Sequence, residues 1–385
     1  MRRTSKFGLV AASIAAVTLL GVSACSSGGG APAPDESESA GLPTSFTEDL
    51  VDQAKAEGEL VIYMDGDERS VQNWAAAFTE KYGIAVTTSR KGSAEQSQTV
   101  NQEFAAGQHL HDITITTDVL ALADWAQSGV LAEYVPTDVD LWPSNLGEAG
   151  LYYPFQNTSV QTVAWNTENV TPDEQAALIQ DPLEAMMDPA FKGRVGIINP
   201  TSATRMSTWY NYTDGPNKNL YGGWGLVESI AANEPIVYGD VIALIQGLTI
   251  GEVDAVYGGV PDGYVAINVA SGAPLADSYP SHPAAITGYT SIMSDAPHPY
   301  AARLFQEWAA TPESAALFSE TSSTYPLNSE VEDQRAVTKE PWYTPVSTVL
   351  DDLWVDWALD SDFVAATQPN SPWITKFNTI MGITN

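Results

Sequence analysis

The alternation of short apolar runs with amphipathic segments is the feature that most constrains the fold of this chain. Residues 59–63 (Glu-Leu-Val-Ile-Tyr) form a short apolar run, which predicts a buried strand followed by a turn. Apolar residues then recur at three- and four-residue spacing from Val71 to Phe78, which predicts a helix packed on that strand. Two further strand and helix pairs follow, 83–88 with 96–106 and 112–116 with 119–127. Strands that alternate with helices predict a mostly parallel sheet with right-handed crossovers.

Polar loops follow each of these three strands. In a parallel sheet the loops after the carboxyl ends of the strands line one crevice, and the next helices point their free N–H groups into it. The loops here are 65–68, 92–95 and 116–118. We therefore expect ligand contacts from one wall at Asp65, Asp67, Glu68, Ser93, Thr117 and Asp118.

The second half of the chain repeats this pattern. A strand at 193–198 precedes a hydroxyl-rich loop at 199–204, and a strand at 251–257 precedes the loop 258–262. Aromatic residues also fall at or near the predicted cleft, and aromatic faces bind sugars, flat rings and quaternary cations alike. The predicted contacts of the second wall are Trp165, Thr201, Ser202, Thr204, Arg205, Tyr238, Tyr257 and Asp262.

The length of the chain predicts two lobes. Residues 46–385 exceed what one hydrophobic core usually serves. We expect strands near residues 160 and 265 to form a hinge, with the ligand between the lobes. The predicted first lobe is 46–160 with 266–385, which includes the C-terminal helices, and the predicted second lobe is 161–265.

The first residues predict secretion and a lipid anchor. A basic start (Arg2, Arg3, Lys6) precedes the apolar run 7–22, which is too short for a stable membrane span of about 20 residues. Small residues then precede Cys25, the only cysteine. We expect a lipoprotein signal peptide at 1–24, a lipid on Cys25 and a flexible Ser-, Gly- and Pro-rich tether at 25–45. An ordinary signal peptide that contains a cysteine is the alternative.

The charge of the chain excludes some functions. The chain has 16 Lys and Arg and 48 Asp and Glu, which gives a net charge of −32. Removal of the signal peptide would take away three of the sixteen basic residues and make the net charge more negative. Such a surface repels nucleic acid and anionic lipid headgroups. It favours solubility and, weakly, a cationic ligand.

Several segments resemble, in order, one family of proteins. Residues 58–63, 74–84 and 111–113 resemble the opening of extracellular solute-binding proteins related to ferric-iron, thiamine and polyamine binders. Residues 163–169 are similar to that family's crossover into the second lobe. The segment 181–200 and the helices around 296–314 also resemble the family, and the resemblance covers nearly all of 55–330.

The resemblance implies an α/β, two-lobed periplasmic-binding-protein fold of type 2, with mixed, mostly parallel sheets and hinge strands. It implies a binding protein without a cofactor, not an enzyme, that captures a small solute for the permease of an ABC importer. The expected partners are the solute, the permease and, through the lipid, the membrane. The expected location is the extracellular face of the cell membrane, and the expected state is a monomer.

Two alternatives to an organic-solute binder stay open. Ferric binders of this family use adjacent tyrosines after the Gly-Glu-x-Asp strand, but residues 257–264 read Tyr-Gly-Gly-Val-Pro-Asp-Gly-Tyr and lack that pair. Asp65, Asp67 and Glu68 supply calcium-type oxygens without the rest of a calcium loop, so we expect no metal site.

A secreted hydrolase would need a nucleophile elbow or a zinc motif, which the sequence lacks. The solute could be an organic cation, a sugar, an aromatic acid or a metal.

Overall fold

The computed structural model describes residues 42–343, 345 and 359–383. The helices are α1 Leu50–Glu57, α2 Glu68–Tyr82, α3 Ser93–Ala105, α4 Val119–Ser128, α5 Pro172–Gln180, α6 Pro182–Met187, α7 Ala203–Thr213, α8 Trp224–Ala232, α9 Val241–Thr249, α10 Asp262–Ala270, α11 Pro299–Ala309, α12 Pro312–Ser322, α13 Ser361–Thr367 and α14 Pro372–Met381. The strands are β1 Glu59–Met64, β2 Ala85–Arg90, β3 Ile113–Thr116, β4 Tyr152–Tyr153, β5 Thr158–Val160, β6 Val163–Asn166, β7 Val195–Ile198, β8 Ile236–Tyr238, β9 Ala255–Tyr257, β10 Leu275–Ser278, β11 Ala285–Thr287 and β12 Tyr289–Ile292. Short 3₁₀ turns lie at Val139–Leu141, Pro189–Phe191 and Ala336–Lys339.

The first lobe is built on a five-stranded sheet of order β2-β1-β3-β12-β4. Strand β1 pairs in parallel with β2 and β3, as the sequence pattern predicts. The returning strand β12 runs antiparallel to β3 and β4, so the sheet is mixed. Leu60, Ile62, Ile113 and Ile115 are fully buried in β1 and β3, as expected for strands covered on both faces of a sheet.

The second lobe has its own five-stranded sheet, of order β10-β6-β9-β7-β8. Strand β7 pairs in parallel with β8 and β9, whereas β6 runs antiparallel to β9 and β10. Helices flank both sheets, so the predicted mixed α/β class is confirmed.

The two sheets are joined by a two-stranded ribbon. Strand β5 pairs antiparallel with β11, with Val160 opposite Ala285. The chain therefore crosses between the two sheets near 160 and again near 285. The second crossing differs from the predicted position near 265, because β10 returns to the second sheet and pairs with β6 before the chain leaves that lobe.

The C-terminal helices pack on the second lobe, which differs from the predicted domain division. Helix α13 contacts α7, and α14 contacts α8. The indole Nε1 of Trp373 donates to Thr213 Oγ1 at 2.9 Å, and its ring stacks on Phe377. The apolar faces of α7 and α8 supply this docking surface, which periodicity alone does not assign to either lobe.

The described chain begins as part of the first lobe. Arg303 Nε donates to the carbonyl of Pro43 at 2.7 Å, and the Val135 N–H donates to the carbonyl of Thr44 at 2.8 Å. The last residues of the predicted tether are therefore attached to the body. The predicted signal peptide, Cys25 and the tether up to residue 41 lie outside the described residues. No helix among the described residues is long and apolar enough to span a bilayer.

Candidate functional site

A cavity of about 300 Å³ lies between the two lobes, where the strands of both sheets end. The first lobe contributes the loops after β1, β2 and β3, and the second lobe contributes the loops after β7 and β9. The structure brings eight of the predicted residues to this cavity: Asp65, Asp67, Ser93, Thr117, Thr201, Ser202, Thr204 and Arg205. The strand ends therefore converge as expected for the edges of parallel strands.

Helix amino termini form much of the cavity wall. Asp67 caps α2 by accepting from Ser70 N at 2.8 Å, and Ser202 caps α7 by accepting from Arg205 N at 3.4 Å. Helix α3 differs, because its N-cap residue is Gly92 and no side chain caps its first turn. Residues 92–95 line the cavity, so this turn offers backbone N–H groups to a ligand.

Asp65 is held rigidly at the cavity wall. Its Oδ2 accepts from Thr116 Oγ1 at 3.0 Å, from Thr117 N at 2.9 Å and from Thr117 Oγ1 at 3.0 Å. Its Oδ1 is buried and has no hydrogen-bond partner among the described residues. Burial raises the pKa of the Asp65 carboxyl, and hydrogen bonds from Thr117, Thr116 and Ser93 oppose that rise. Oδ2 is thus fixed by the protein, and the carboxyl also lies beside the Ser93 side chain at the cavity wall.

Two arginines from opposite lobes face the cavity. Arg90 Nε donates to the carbonyl of Gly66 at 3.1 Å, and an Arg205 terminal nitrogen donates to the carbonyl of Gly239 at 2.6 Å. Neither guanidinium forms a salt bridge with a carboxylate in the part of the chain that the structure describes. Burial lowers the pKa of Arg205. Sequence reasoning found Arg205 but missed Arg90, which is the last residue of a strand and carries no loop signal.

Tyr264 is a further cavity residue outside the predicted set. It lies in the first turn of α10, and its phenol faces the acidic and basic groups of the first lobe. Burial raises the pKa of Tyr264 to about 12, the charges of Asp67 and Asp65 add to the rise, and Arg90 opposes it. Tyr264 belongs to the second half of the chain, and its side chain therefore interacts with charged residues of the first lobe.

Three predicted contacts lie outside the cavity wall at exposed or structural positions. Glu68 begins α2 on the surface and accepts from Gln72. Asp118 caps α4 and accepts from Ser97 Oγ at 2.7 Å. Tyr238 donates to Glu252 at 2.9 Å, away from the cleft.

Three others are buried within the protein. Trp165 in β6 and Tyr257 in β9 are each 1% exposed, and the Tyr257 hydroxyl donates to the carbonyl of Thr208 at 2.9 Å. Asp262 is 4% exposed and is paired with Arg335 at 2.8 Å. The sequence places these residues near strand ends but does not reveal whether a side chain points to the cleft or to the core.

Metal ligands do not cluster in the described part of the chain. No group of three or more His, Cys, Asp or Glu residues among the described residues is arranged to hold a metal ion. His111 is buried and stacks on Tyr63 with ring centroids 4.0 Å apart. Burial lowers the pKa of His111 to about 4, so its ring is neutral at physiological pH.

Two α/β lobes, a ribbon hinge and a polar cavity between them define a two-lobed ligand-binding protein. The chain belongs to the bacterial extracellular solute-binding protein family, whose sequence profile matches residues 73–345. The predicted family and fold are thereby confirmed. Members of this family bind small solutes outside the cytoplasm and work with ABC transporter permeases.

Solved structures share this fold at low sequence identity. The substrate-binding protein of an ABC transporter from Agrobacterium tumefaciens has a TM-score of 0.66 and 15% identity, covering 85% of this chain and 96% of that one. AfuA from Actinobacillus pleuropneumoniae, with fructose-6-phosphate bound, has a TM-score of 0.63 and 19% identity over 85% of this chain and 99% of that one. Iron-bound HitA from Pseudomonas aeruginosa has a TM-score of 0.60 and 16% identity over 84% and 98%. A search of curated proteins gives no match.

Proposed function

We propose that this protein is a lipid-anchored receptor that closes its two lobes on a small organic solute and delivers it to an ABC permease. The observation that carries the proposal is the cavity between the lobes, with polar walls from both. Contacts to both walls exist together only when the lobes are closed, so a solute that makes them shifts the protein toward the closed state.

An anionic group on the solute fits this cavity best. Arg90 and Arg205 approach from opposite lobes and form no salt bridge among the described residues, and the uncapped first turn of α3 lines the same cavity. Guanidinium groups and helix amino termini both favour phosphate and carboxylate. The overall charge is negative, and the cavity also contains the carboxylates of Asp65, Asp67 and Glu95. The proposed anion site is therefore the part of the cavity formed by the two guanidinium groups and the amino terminus of α3. The phosphate ester bound by AfuA is consistent with this choice.

The anchor is proposed from the sequence. Cys25 follows a short apolar run and small residues, as a lipidated cysteine does, and the residues after it lack the apolar content to fold. A lipid on Cys25 would hold the solute-binding body beside the permease.

Ferric ion is the second candidate, because one observation favours it. Tyr264, Asp65 and Asp67 line the same cavity and offer hard oxygen ligands. The adjacent tyrosines of ferric binders are missing at 257–264, so we expect weak ferric binding. A strong visible tyrosinate-to-iron absorption on adding ferric citrate, lost in Tyr264→Phe, would establish iron as the ligand instead.

The test uses the full mature chain carrying Cys25→Ser, which removes only the lipid. Fructose 6-phosphate, fructose and inorganic phosphate serve as probes in thermal-shift and solution-scattering experiments. A bound anion at 100 times its Kd should add about 2.7 kcal/mol to the unfolding free energy and reduce the radius of gyration. Arg90→Gln and Arg205→Gln should each weaken binding of the phosphorylated probe.

The matched control is Lys218→Gln, which removes an equal charge from an exposed position of the second lobe. It should bind the probes as the parent chain does. Tight binding without compaction, or binding that survives loss of both arginines, would place the solute site elsewhere.

A further inference from the structure

The floor of the cavity is formed by two glutamines that flank the hinge strand β5. Gln156 and Gln161 are 6% and 1% exposed, and both line the cavity. Their backbones are fixed by the return crossing, because Gln156 N donates to the carbonyl of Gly288 at 3.3 Å and Gln161 N donates to that of Ala284 at 2.8 Å. The two amides therefore lie where the lobes join, between the walls that carry the arginines.

The side-chain amides of these glutamines have unused hydrogen-bonding capacity. Nε2 of Gln156 and both Nε2 and Oε1 of Gln161 have no partner among the described residues. Asn157, the next residue after Gln156, shows the contrast: its Nδ2 donates to Ala315 O at 3.2 Å and its Oδ1 accepts from Leu327 N at 3.2 Å. A buried amide without a partner destabilises a fold, and at the wall of a cavity a ligand can supply the missing hydrogen bonds.

Packing holds the Gln156 amide in place. A Cβ added at Gly288 would lie 2.8 Å from Gln156 Cβ and 2.1 Å from its Oε1, so the side chain lies directly against the Gly288 backbone. Gly66 lies on another side of the same amide, where an added Cβ would lie 3.6 Å from Nε2. An amide held in this way binds a ligand without first losing side-chain freedom.

We propose that the side-chain amides of Gln156 and Gln161 form a neutral polar subsite that binds the hydroxyl-bearing part of the solute. The amides supply donors and an acceptor without charge. Hydroxyl groups donate and accept, so they match this set, whereas amide nitrogens do not coordinate metal ions. This inference rests on the proposed function and assigns a solute with an anionic end at the arginines and hydroxyls at the floor.

The experiment compares two probes of similar length, fructose 6-phosphate and n-hexyl phosphate, which lacks the hydroxyls. Titration calorimetry of the mature Cys25→Ser chain should show at least tenfold tighter binding of the hydroxylated probe. Gln161→Met keeps the side-chain volume but removes both polar atoms. It should weaken fructose 6-phosphate binding about tenfold to a hundredfold and leave hexyl phosphate within about twofold, because each neutral hydrogen bond contributes a few-fold to tenfold. Gln156→Met should act in the same direction.

Stability separates a binding role from a structural one. Without ligand, Gln161→Met should melt at or above the parent temperature, because it removes unpaired buried polar atoms. The control is Asn166→Leu, at an asparagine that is 3% exposed outside the cavity, whose Nδ2 donates to Leu248 O at 2.9 Å and whose Oδ1 accepts from Glu168 N at 2.9 Å. This control variant should lower the melting temperature and leave the affinity for fructose 6-phosphate unchanged.

The outcomes distinguish this inference from the proposed function. Equal fructose 6-phosphate affinity in the parent chain and in both glutamine variants would overturn the amide floor and leave the proposed function standing. Equal affinity of the parent chain for fructose 6-phosphate and n-hexyl phosphate would also overturn the amide floor and leave the proposed function standing. A parent chain that binds neither probe would overturn the anionic, hydroxylated solute and the inference together.

Discussion

Replacing Arg335 by methionine should destabilise the folded protein, because Arg335 neutralises a buried carboxylate behind the hinge. Its side chain is 5% exposed, its terminal nitrogen lies 2.8 Å from Asp262 Oδ2, and its Nε lies 2.9 Å from Asp333 Oδ1. Burial alone lowers the pKa of Arg335, but Asp262 and Asp333 outweigh it and raise the pKa well above its usual value. The guanidinium therefore stays charged and paired throughout the accessible pH range.

The magnitude follows from what remains after the substitution. Removing one partner of a buried ion pair costs about 3–5 kcal/mol, because the other charge stays buried. Asp262 would keep three donors: Val160 N at 3.1 Å, Gly263 N at 2.9 Å and the Tyr279 hydroxyl at 2.7 Å. These bonds stabilise the remaining carboxylate, so we expect a loss near the lower limit, about 3 kcal/mol.

Urea unfolding at pH 7 and 25 °C, followed by tryptophan fluorescence and by circular dichroism, measures this loss. Asp262→Asn supplies the second side of a double-mutant cycle, and the double variant should be more stable than the sum of the single losses implies. A loss below about 1 kcal/mol for Arg335→Met would refute the reasoning. Asp262→Asn should also keep its solute affinity. Loss of affinity at unchanged stability would restore Asp262 as a ligand contact.

Three further expectations concern the anchor, the acid limit of stability and the C-terminal helices. Cys25→Ala should move the protein from the membrane fraction to the medium or leave it unprocessed, and membrane retention at the parent level would contradict the lipid anchor. Hydrogen bonding to Arg194 lowers the pKa of Glu174 from 4.5 to about 2, so this pair contributes stability above the unfolded pKa that is lost as the pH falls toward 2. Arg194→Gln should therefore show a smaller loss of unfolding free energy as the pH falls toward 2. An equal dependence of unfolding free energy on pH in the parent and in Arg194→Gln would disprove this linkage. Trp373→Ala should cost about 3–5 kcal/mol and expose the C-terminal helices to protease, because the indole is buried and bonded to Thr213; unchanged protease resistance would show that the helices are held elsewhere.

The sequence by itself determined the α/β class and the loops that form the cavity. Runs such as Glu59–Met64 and the helical spacing that follows are local patterns, and local patterns fix where strands and helices lie along the chain. Parallel strands end at one edge, so Asp65, Ser93, Thr117 and Thr201 could be assigned to one cavity before any contact was known.

Only the tertiary structure decided which side chains near those ends face the cavity. Trp165 and Tyr257 are covered by packing in the second lobe, and Asp262 is neutralised by Arg335, which lies 73 positions further along the chain. Gln156 and Gln161 carry no periodic signal, and they form the cavity floor only because β11 returns beside β5. The direction of a side chain at a strand end depends on what packs against it, and in this protein the packing partners come from distant parts of the sequence.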